Sequence, residues 1–161
     1  MASHLRAGDP APPFAVPDQH GNIVRLEDFA GRTLLLYFFP AAFSVDCTAQ
    51  GCSIRDHTSG LSGLSIDVVG ISPDPVDRQR EFDARFGLGF PLLADVDHAV
   101  AASYGVWSDY EYDGAIVTGV LRSSFLVDDG VITHVWSPVR ATETAPLVLA
   151  ALGGGPHSVA L

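Results

Sequence analysis

Two largely apolar runs stand out in the hydrophobic pattern of the chain and are typical of buried β-strands. Residues 33–39 read TLLLYFF, and residues 66–72 read IDVVGIS. Runs of β-branched and aromatic residues without polar alternation indicate central strands that are covered on both faces, as in parallel sheets. Pro40 and Pro73 end the two runs, because proline has no N–H to donate within a sheet. The pattern therefore predicts two interior strands.

Helical segments are predicted around and after these strands. The four segments are residues 47–61, 74–86, 97–104 and 144–152. Apolar positions are sparse in the first of them. In the second, Asp74 is the expected N-cap, with Pro75 at the first helical position. Gly105 is the expected C-cap of the third, because glycine readily adopts the left-handed conformation that ends a helix.

An N-terminal β-hairpin is predicted ahead of the first interior strand. Residues 14–16 and 22–25 have the composition of short strands and flank a turn centred on Gly21. A single helical turn is expected to follow at residues 26–29. These pieces form an extension to the main sheet.

A second hairpin is predicted late in the chain, with residues 122–127 and 131–136 on either side of a turn centred on Asp129. The element order is then strand, helix, strand, helix, hairpin, helix. This is the order of an α/β protein with a thioredoxin-like fold, in which helices flank a central mixed β-sheet. The N-terminal hairpin is an addition to that plan.

The length of the chain, 161 residues, is typical of one domain. No internal repeat, low-complexity tract or interior linker interrupts it. We therefore expect a single domain over residues 1–161, in which residues 153–161 (GGGPHSVAL) form a loose C-terminal tail.

Composition and charge exclude several classes of partner. Nineteen acidic residues against nine basic ones, all arginine, give a net charge of −10, whereas binding to a nucleic-acid backbone needs a basic face. The apolar runs fall well short of the roughly 18 residues of a membrane span. The first residues, MASHLRAGDPAPPF, lack the apolar stretch of a secretory signal. We expect a cytoplasmic protein that binds neither nucleic acid nor membranes.

Cys47 is the first candidate for chemistry, because it comes just after the predicted interior strand. The carboxyl ends of such strands are where α/β proteins build their sites. If a helix begins near Cys47, its unpaired N–H groups favour the reactive thiolate. Ser44, three residues earlier, can present a hydroxyl to whatever approaches the sulfur. The alternative is a structural thiol packed beside Phe38 and Phe43, as is common for free cysteines.

The second cysteine, Cys52, lies five residues after Cys47, which matches neither a CxxC redox motif nor a zinc-site spacing. Residues five apart on an α-helix have Cα atoms about 8.5 Å apart. A disulfide tolerates at most about 7 Å. The two thiols can therefore bond only if part of the helix unwinds, which suits a switch better than a permanent crosslink.

The sequence around Cys47 resembles a known family. Pro40-x-x-x-Ser44-x-x-Cys47 is similar to the Pro-x-x-x-Thr/Ser-x-x-Cys signature of peroxiredoxins, and FFPAAFSVDCTAQGCSIRD resembles their bacterioferritin-comigratory-protein (PrxQ) subfamily, within the AhpC/TSA group. Further similar segments occur in order along the chain: GDPAPPF at 8–14, VGISPD at 69–74, FPLLAD at 90–95, YGV at 104–106 and RSSFLVD at 122–128.

The resemblance implies a thioredoxin fold and thiol-dependent reduction of hydrogen peroxide and organic hydroperoxides, without a cofactor or metal. Cys47 matches the peroxidatic cysteine, which becomes a sulfenic acid, and Cys52 matches the resolving cysteine of an intramolecular disulfide. Arg122 matches the active-site arginine, Ser44 the hydroxyl that orients the peroxide, and Pro40 the shield of the thiolate. Recycling then requires thioredoxin or a similar dithiol, and relatives are monomers or homodimers.

Three positions depart from the subfamily pattern. Gln50 stands where a glutamate that pairs with arginine is usual, so its presence is expected to loosen the helix or the site. Asp46 places a carboxylate next to Cys47, which disfavours the thiolate and opposes Arg122. Ser44 replaces the commoner threonine.

Two other functions remain open on the same fold. One is a redox sensor with weak turnover, which the departures at Asp46 and Gln50 allow. The other is a thiol metal chaperone, although the spacing of the cysteines and the single nearby histidine, His57, fit a metal poorly. For the peroxidase, the apolar side chains of Phe43 and Trp107 suggest a preference for organic hydroperoxides.

Overall fold

The computed structural model describes residues 3–152, in which the backbone forms nine strands and five α-helices. The strands are β1 (Ala15–Pro17), β2 (Ile23–Arg25), β3 (Thr33–Phe38), β4 (Ile66–Ser72), β5 (Leu92–Ala94), β6 (Trp107–Tyr112), β7 (Ala115–Val120), β8 (Ser123–Asp128) and β9 (Val131–Trp136). The helices are α1 (Val45–Asp56), α2 (Thr58–Gly63), α3 (Val76–Phe86), α4 (Ala99–Ser103) and α5 (Thr144–Ala151). One 3₁₀ turn, Leu26–Phe29, follows β2.

The central sheet is mixed and has the strand order β5-β4-β3-β8-β9. β3 pairs in parallel with β4 and antiparallel with β8, so it lies in the middle of the sheet. Five of its six residues are buried, as expected for an apolar strand without polar alternation. The predicted interior strands and the C-terminal hairpin are confirmed.

Helices cover both faces of this sheet and create two separate cores. Alternate side chains of β3 point to opposite faces. Leu35 and Tyr37 pack in the cluster that also contains Ile54 of α1 and Val148 of α5. Leu34, Leu36 and Phe38 point to the other face and pack with residues of β1, α4 and the start of β6. The predicted arrangement of a central mixed sheet flanked by helices, with an N-terminal β-hairpin, is therefore observed.

Two local predictions about helices were wrong. The segment predicted as one helix over 47–61 is divided at His57 into α1 and α2, and α1 begins two residues earlier than predicted, after the N-cap Ser44. Asp74 does not cap α3, whose N-cap is Pro75. The Asp74 carboxylate instead accepts hydrogen bonds from the backbone N–H of Ala42 at 2.7 Å and from the Ser72 hydroxyl at 2.6 Å.

Strands β6 and β7 form a separate two-stranded hairpin, here called the ribbon, which the hydrophobic pattern did not reveal. Its strands are mostly polar or exposed, so they lack a continuous buried face. The turn is Asp113-Gly114, and both residues have positive φ (52° and 79°), as the tight hairpin turns with a right-handed twist require. This Asp-Gly pair is the one feature of the ribbon sequence that indicates a hairpin.

The predicted C-terminal tail, residues 153–161, lies outside the described residues, and a single domain over 1–161 stays a prediction. In the portion from Ser3 to Leu152, no helix combines the length and apolar character needed to cross a bilayer.

Candidate active site

Cys47 lies in the first turn of α1, at the end of the loop that leaves the central strand β3. Its side chain is buried, with 1% of the residue exposed. The Ser44 hydroxyl accepts a hydrogen bond from the Cys47 backbone N–H at 3.2 Å and so caps the helix. The sulfur therefore lies near the N-terminal, positive end of the helix dipole, which favours a thiolate.

Arg122 lies between β7 and β8 and reaches across to α1. Its Nη2 donates a hydrogen bond to Cys47 Sγ at 3.3 Å, although the two residues are 75 positions apart. The Arg122 carbonyl accepts from the backbone N–H of Val139 at 2.9 Å, which fixes the segment that carries the guanidinium. A half-buried cation in contact with the sulfur stabilises negative charge on it.

Gln50 binds the second terminal nitrogen of the Arg122 guanidinium. Its Oε1 accepts from Arg122 Nη1 at 2.5 Å, and its Nε2 donates to the Thr144 hydroxyl of α5 at 2.9 Å. The side chain is fully buried. The amide thus offers arginine an acceptor and keeps a donor that ties α1 to α5. That the site is looser than with a glutamate stays a prediction.

A cavity of about 390 Å³ opens beside this cluster. Pro40 and Ser44 line it from the loop, Arg122 from the base, and Tyr110, Tyr112 and Val117 from the ribbon. The three ribbon residues were missed because the ribbon itself was not predicted. A larger cavity of about 630 Å³ lies between the N-terminal hairpin and α4. Neither thiol lines either cavity, but Arg122, which contacts Cys47 Sγ, lines the smaller one.

The two side chains expected to favour organic hydroperoxides do not line the cavity near Cys47. Phe43 packs on Phe82 of α3, with ring centroids 5.2 Å apart. Trp107 stacks on His98 at 3.7 Å, on the opposite face of the ribbon from Tyr110 and Tyr112.

Comparison with known proteins identifies the family of this chain. The model of the AhpC/TSA family matches residues 7–135. Peroxiredoxin Bcp of Escherichia coli (strain K12) is 41% identical over 146 residues, which are 90% of this chain and 94% of that protein. The chain belongs to the AhpC/TSA family. It is thus a peroxiredoxin, and its enzyme class is peroxidase.

Solved structures support the same assignment. Peroxidoxin BcpB from Mycobacterium tuberculosis has a TM-score of 0.82 and 33% identity, and the match covers 92% of this chain and 97% of that one. The Xanthomonas campestris bacterioferritin comigratory protein, described for its alkyl peroxide reduction activity, has a TM-score of 0.82 and 28% identity over 93% and 96%. The predicted thioredoxin-like fold is confirmed.

Cys52, the second cysteine of this peroxiredoxin, is half-buried on the same continuous helix as Cys47, and both thiols are free. An intact helix therefore separates them. Gly51, just before Cys52, is a poor helix former and lowers the cost of opening this helix by about 1 kcal/mol relative to alanine. Its missing Cβ leaves room for Leu88, whose Cδ2 would lie 3.3 Å from it.

Two tyrosines adjoin the charged cluster of the peroxiredoxin. Burial raises the pKa of Tyr37, a negative Cys47 adds to the rise, and Arg122 opposes it. The pKa of Tyr110 is also raised, first by burial, with Arg122 again opposing and Cys47 again adding. Both phenols therefore remain neutral near the sulfur at physiological pH.

Two further titratable side chains, Asp46 and His57, lie near the thiols. Asp46 is exposed in the first turn of α1, where a carboxylate interacts favourably with the helix dipole. His57 Nδ1 lies 2.7 Å from the Ser53 carbonyl. Over residues 3–152, no group of three or more His, Cys, Asp and Glu side chains has an arrangement that could hold a metal ion.

Proposed function

We propose that this peroxiredoxin reduces hydrogen peroxide and organic hydroperoxides at Cys47, forms a Cys47–Cys52 disulfide, and is recycled by thioredoxin or a similar dithiol. The observation that carries the proposal is the 3.3 Å contact between Arg122 Nη2 and the buried Cys47 Sγ in the first turn of α1. A cation and a helix N-terminus converge on one sulfur. Such an arrangement favours a nucleophilic thiolate.

In the first step, the Cys47 thiolate attacks one oxygen of the hydroperoxide. An S–O bond forms, the O–O bond breaks, and the other oxygen takes a proton and leaves as an alcohol or water. The sulfur is oxidised by two electrons to a sulfenic acid, and the peroxide is reduced by the same two. Arg122 stabilises the charge that develops on the two oxygens.

Ser44 and Pro40 contribute to the same step. The Ser44 oxygen accepts from the Cys47 N–H through a lone pair, which leaves its O–H hydrogen able to donate to a peroxide oxygen. Pro40 lines the cavity without offering an N–H and limits the access of water to the sulfur.

In the second step, the Cys52 thiol attacks the sulfenic sulfur, the S–O bond breaks, and water leaves as the disulfide forms. About 8.5 Å between Cα atoms on a helix exceeds the disulfide limit of about 7 Å, so part of α1 must unwind first. An external dithiol then attacks the disulfide, returns both cysteines to thiols and becomes oxidised itself.

The ribbon supports the part of the proposal that concerns organic hydroperoxides. Tyr110, Tyr112 and Val117 provide an apolar wall beside Arg122, against which the carbon portion of a substrate can pack. The X. campestris neighbour is itself described in connection with alkyl peroxide reduction.

The test is the intact mass of the reduced protein after one equivalent of hydrogen peroxide, for the wild type and for Cys52→Ser. We expect a loss of about 2 Da in the wild type, from one disulfide, and a gain of about 16 Da in the variant, from a sulfenic acid. A wild type that stops at the sulfenic or sulfinic stage would rule out Cys52 as the resolving residue. An unchanged mass in both proteins would overturn the assignment of Cys47.

Repeated turnover distinguishes the enzyme from a redox sensor on the same fold. With thioredoxin, its reductase and excess peroxide, the proposal requires continuous consumption of peroxide. A single oxidation without re-reduction by any dithiol would favour the sensor.

A further inference from the structure

Phe43 has an unusual backbone conformation immediately before the N-cap of α1. Its φ is 67°, in the left-handed region. A bulky non-glycine residue in this region is strained, because its Cβ crowds the following carbonyl oxygen. Such conformations persist only when the surroundings hold them in place, and they cluster at functional sites.

The surroundings that hold Phe43 come from α3. Its ring packs against Phe82 and Phe86, with centroid separations of 5.2 Å and 6.1 Å. The guanidinium of Arg78 lies 4.4 Å from the centre of the same ring. The preceding residue is also tied down, because the Ala42 N–H donates to the Asp74 carboxylate just before α3. We call the contacts of Phe43 with Arg78, Phe82 and Phe86 the α3 clamp.

The clamp acts on the first turn of α1, in which two of the first three side chains are exposed and only Cys47 is buried. Val45 is 85% exposed and Asp46 is also exposed, whereas Ile54 near the other end of α1 is fully buried. The first turn is thus the part that can unwind to bring Cys47 towards Cys52. Phe43 is joined to this turn through a single residue, the N-cap Ser44.

We infer that Phe43 is a positioning residue: held by the α3 clamp, it keeps the first turn of α1 wound and so sets how the Cys47 sulfenic acid divides between disulfide and sulfinic acid. The inference rests on the proposed function. While the turn is wound, the sulfenate can attack a second hydroperoxide, take one oxygen and release an alcohol or water, which gives the sulfinic acid. Once the turn unwinds, Cys52 displaces water from the same sulfur instead.

Substitutions of Phe43 separate the clamp from the backbone strain. Phe43→Ala removes the ring but keeps the strain, so the first turn unwinds most easily in this variant. Phe43→Gly removes the ring and also the strain, because glycine adopts positive φ freely, so its effect is smaller. Phe43→Tyr retains the ring and should behave as the wild type.

The first measurement is the ratio of disulfide to sulfinic acid by intact mass across increasing hydrogen peroxide. We expect this ratio to rise about tenfold in Phe43→Ala, the factor that two weak aromatic contacts and one exposed cation–π contact supply together. The order should be Ala above Gly, and Gly above Tyr and wild type. Equal ratios in all four proteins would overturn the inference.

Arg78 allows the same test at the surface of α3, where substitution does not endanger folding. Arg78→Met removes the cation over the Phe43 ring and should raise the ratio about threefold, since cation–π contacts at exposed sites are weak. Arg85→Met, two turns along the exposed face of the same helix, is the matched control and should leave the ratio unchanged. If both methionine variants give the wild-type ratio, the cation does not belong to the clamp.

Hydrogen exchange of the reduced protein tests the clamp without any peroxide chemistry. In Phe43→Ala, the amides of residues 44–48 should exchange faster while those of β3 and β4 keep wild-type protection. Faster exchange in all of these segments, or in none, would overturn the positioning role. If the wild type forms no disulfide, the proposed function fails, but the exchange experiment still decides whether the clamp exists.

Discussion

Arg122 divides its guanidinium between two side chains of α1, one turn apart. One nitrogen donates to the Cys47 sulfur and the other to the Gln50 oxygen. A planar guanidinium with two fixed partners has little freedom to turn, so its charge remains directed at the sulfur before any substrate arrives. Gln50 is in this sense part of the site, although it does not touch the thiol in the described contacts.

We therefore expect Gln50→Leu to affect both stability and reactivity. It removes the acceptor of Arg122 Nη1 and the donor to the Thr144 hydroxyl without replacing either, so the free energy of unfolding should fall by about 1–3 kcal/mol. The rate at which peroxide oxidises Cys47 should also fall, because the guanidinium is no longer held. Urea denaturation of the reduced protein and rapid-mixing oxidation measure the two effects.

Thr144→Val is the matched control for this substitution. It removes the hydrogen bond between Gln50 and Thr144 but leaves the contact of Gln50 with Arg122. Stability should fall by about 1 kcal/mol and the oxidation rate should stay as in the wild type. Equal slowing by both variants would show that Gln50 does not act through Arg122.

Among the secondary-structure elements, the ribbon adds a wall to the site without belonging to the central sheet. Successive side chains of a strand point to opposite faces. Tyr110 and Val117, which pair across the ribbon, line the cavity, whereas Ile116 is 70% exposed and does not line it. One face of the ribbon therefore borders the cavity, and the other meets solvent or His98.

Tyr110→Ala should lower the rate of reduction of cumene hydroperoxide about tenfold more than that of hydrogen peroxide. The larger substrate loses an apolar contact that the smaller one never makes. Ile116→Ala, on the other face of the ribbon, is expected to change neither rate. The selectivity hypothesis fails if Tyr110→Ala slows both substrates equally.

Elements of this fold differ in how far local sequence determines them. β3 and β4 could be predicted because each is a largely apolar run that a proline follows within two residues. The Asp113-Gly114 turn carried a usable signal for the ribbon, but the polar β6 and the largely exposed β7 gave no pattern of a buried face. The bond from Gln50 to Thr144 joins residues 94 positions apart, and no local pattern predicts such a pairing. The left-handed φ of Phe43 is equally hidden, since packing on α3 rather than local preference maintains it.

For the whole molecule, the net charge of −10 bears on how a protein reductant approaches. Two acidic proteins repel each other over distances comparable to the Debye length, which falls from about 30 Å at 0.01 M salt to about 3 Å at 1 M. The charge therefore acts on the rate of encounter rather than on the chemistry of the disulfide.

Reduction of the oxidised protein by an acidic thioredoxin should consequently accelerate as salt rises across this range. Reduction by dithiothreitol, which is uncharged, should remain nearly constant and serves as the control. The rate of disulfide loss, followed by intact mass, measures both. A thioredoxin reaction that slows with salt would indicate attraction at the contact surface strong enough to outweigh the overall charge.

The two cores of the molecule lie on opposite sides of the central sheet. One contains residues of α1, α2, α3 and α5, and the other contains residues of β1 and α4 but none of those four helices. We therefore expect unwinding of the first turn of α1 to disturb the first core and to leave the second unchanged. A binding partner that contacts the α4 side meets the same surface whether the thiols are reduced or oxidised. The surface should differ between the two oxidation states only on the α1 side. A protein that distinguishes the reduced from the oxidised form then has to contact that side.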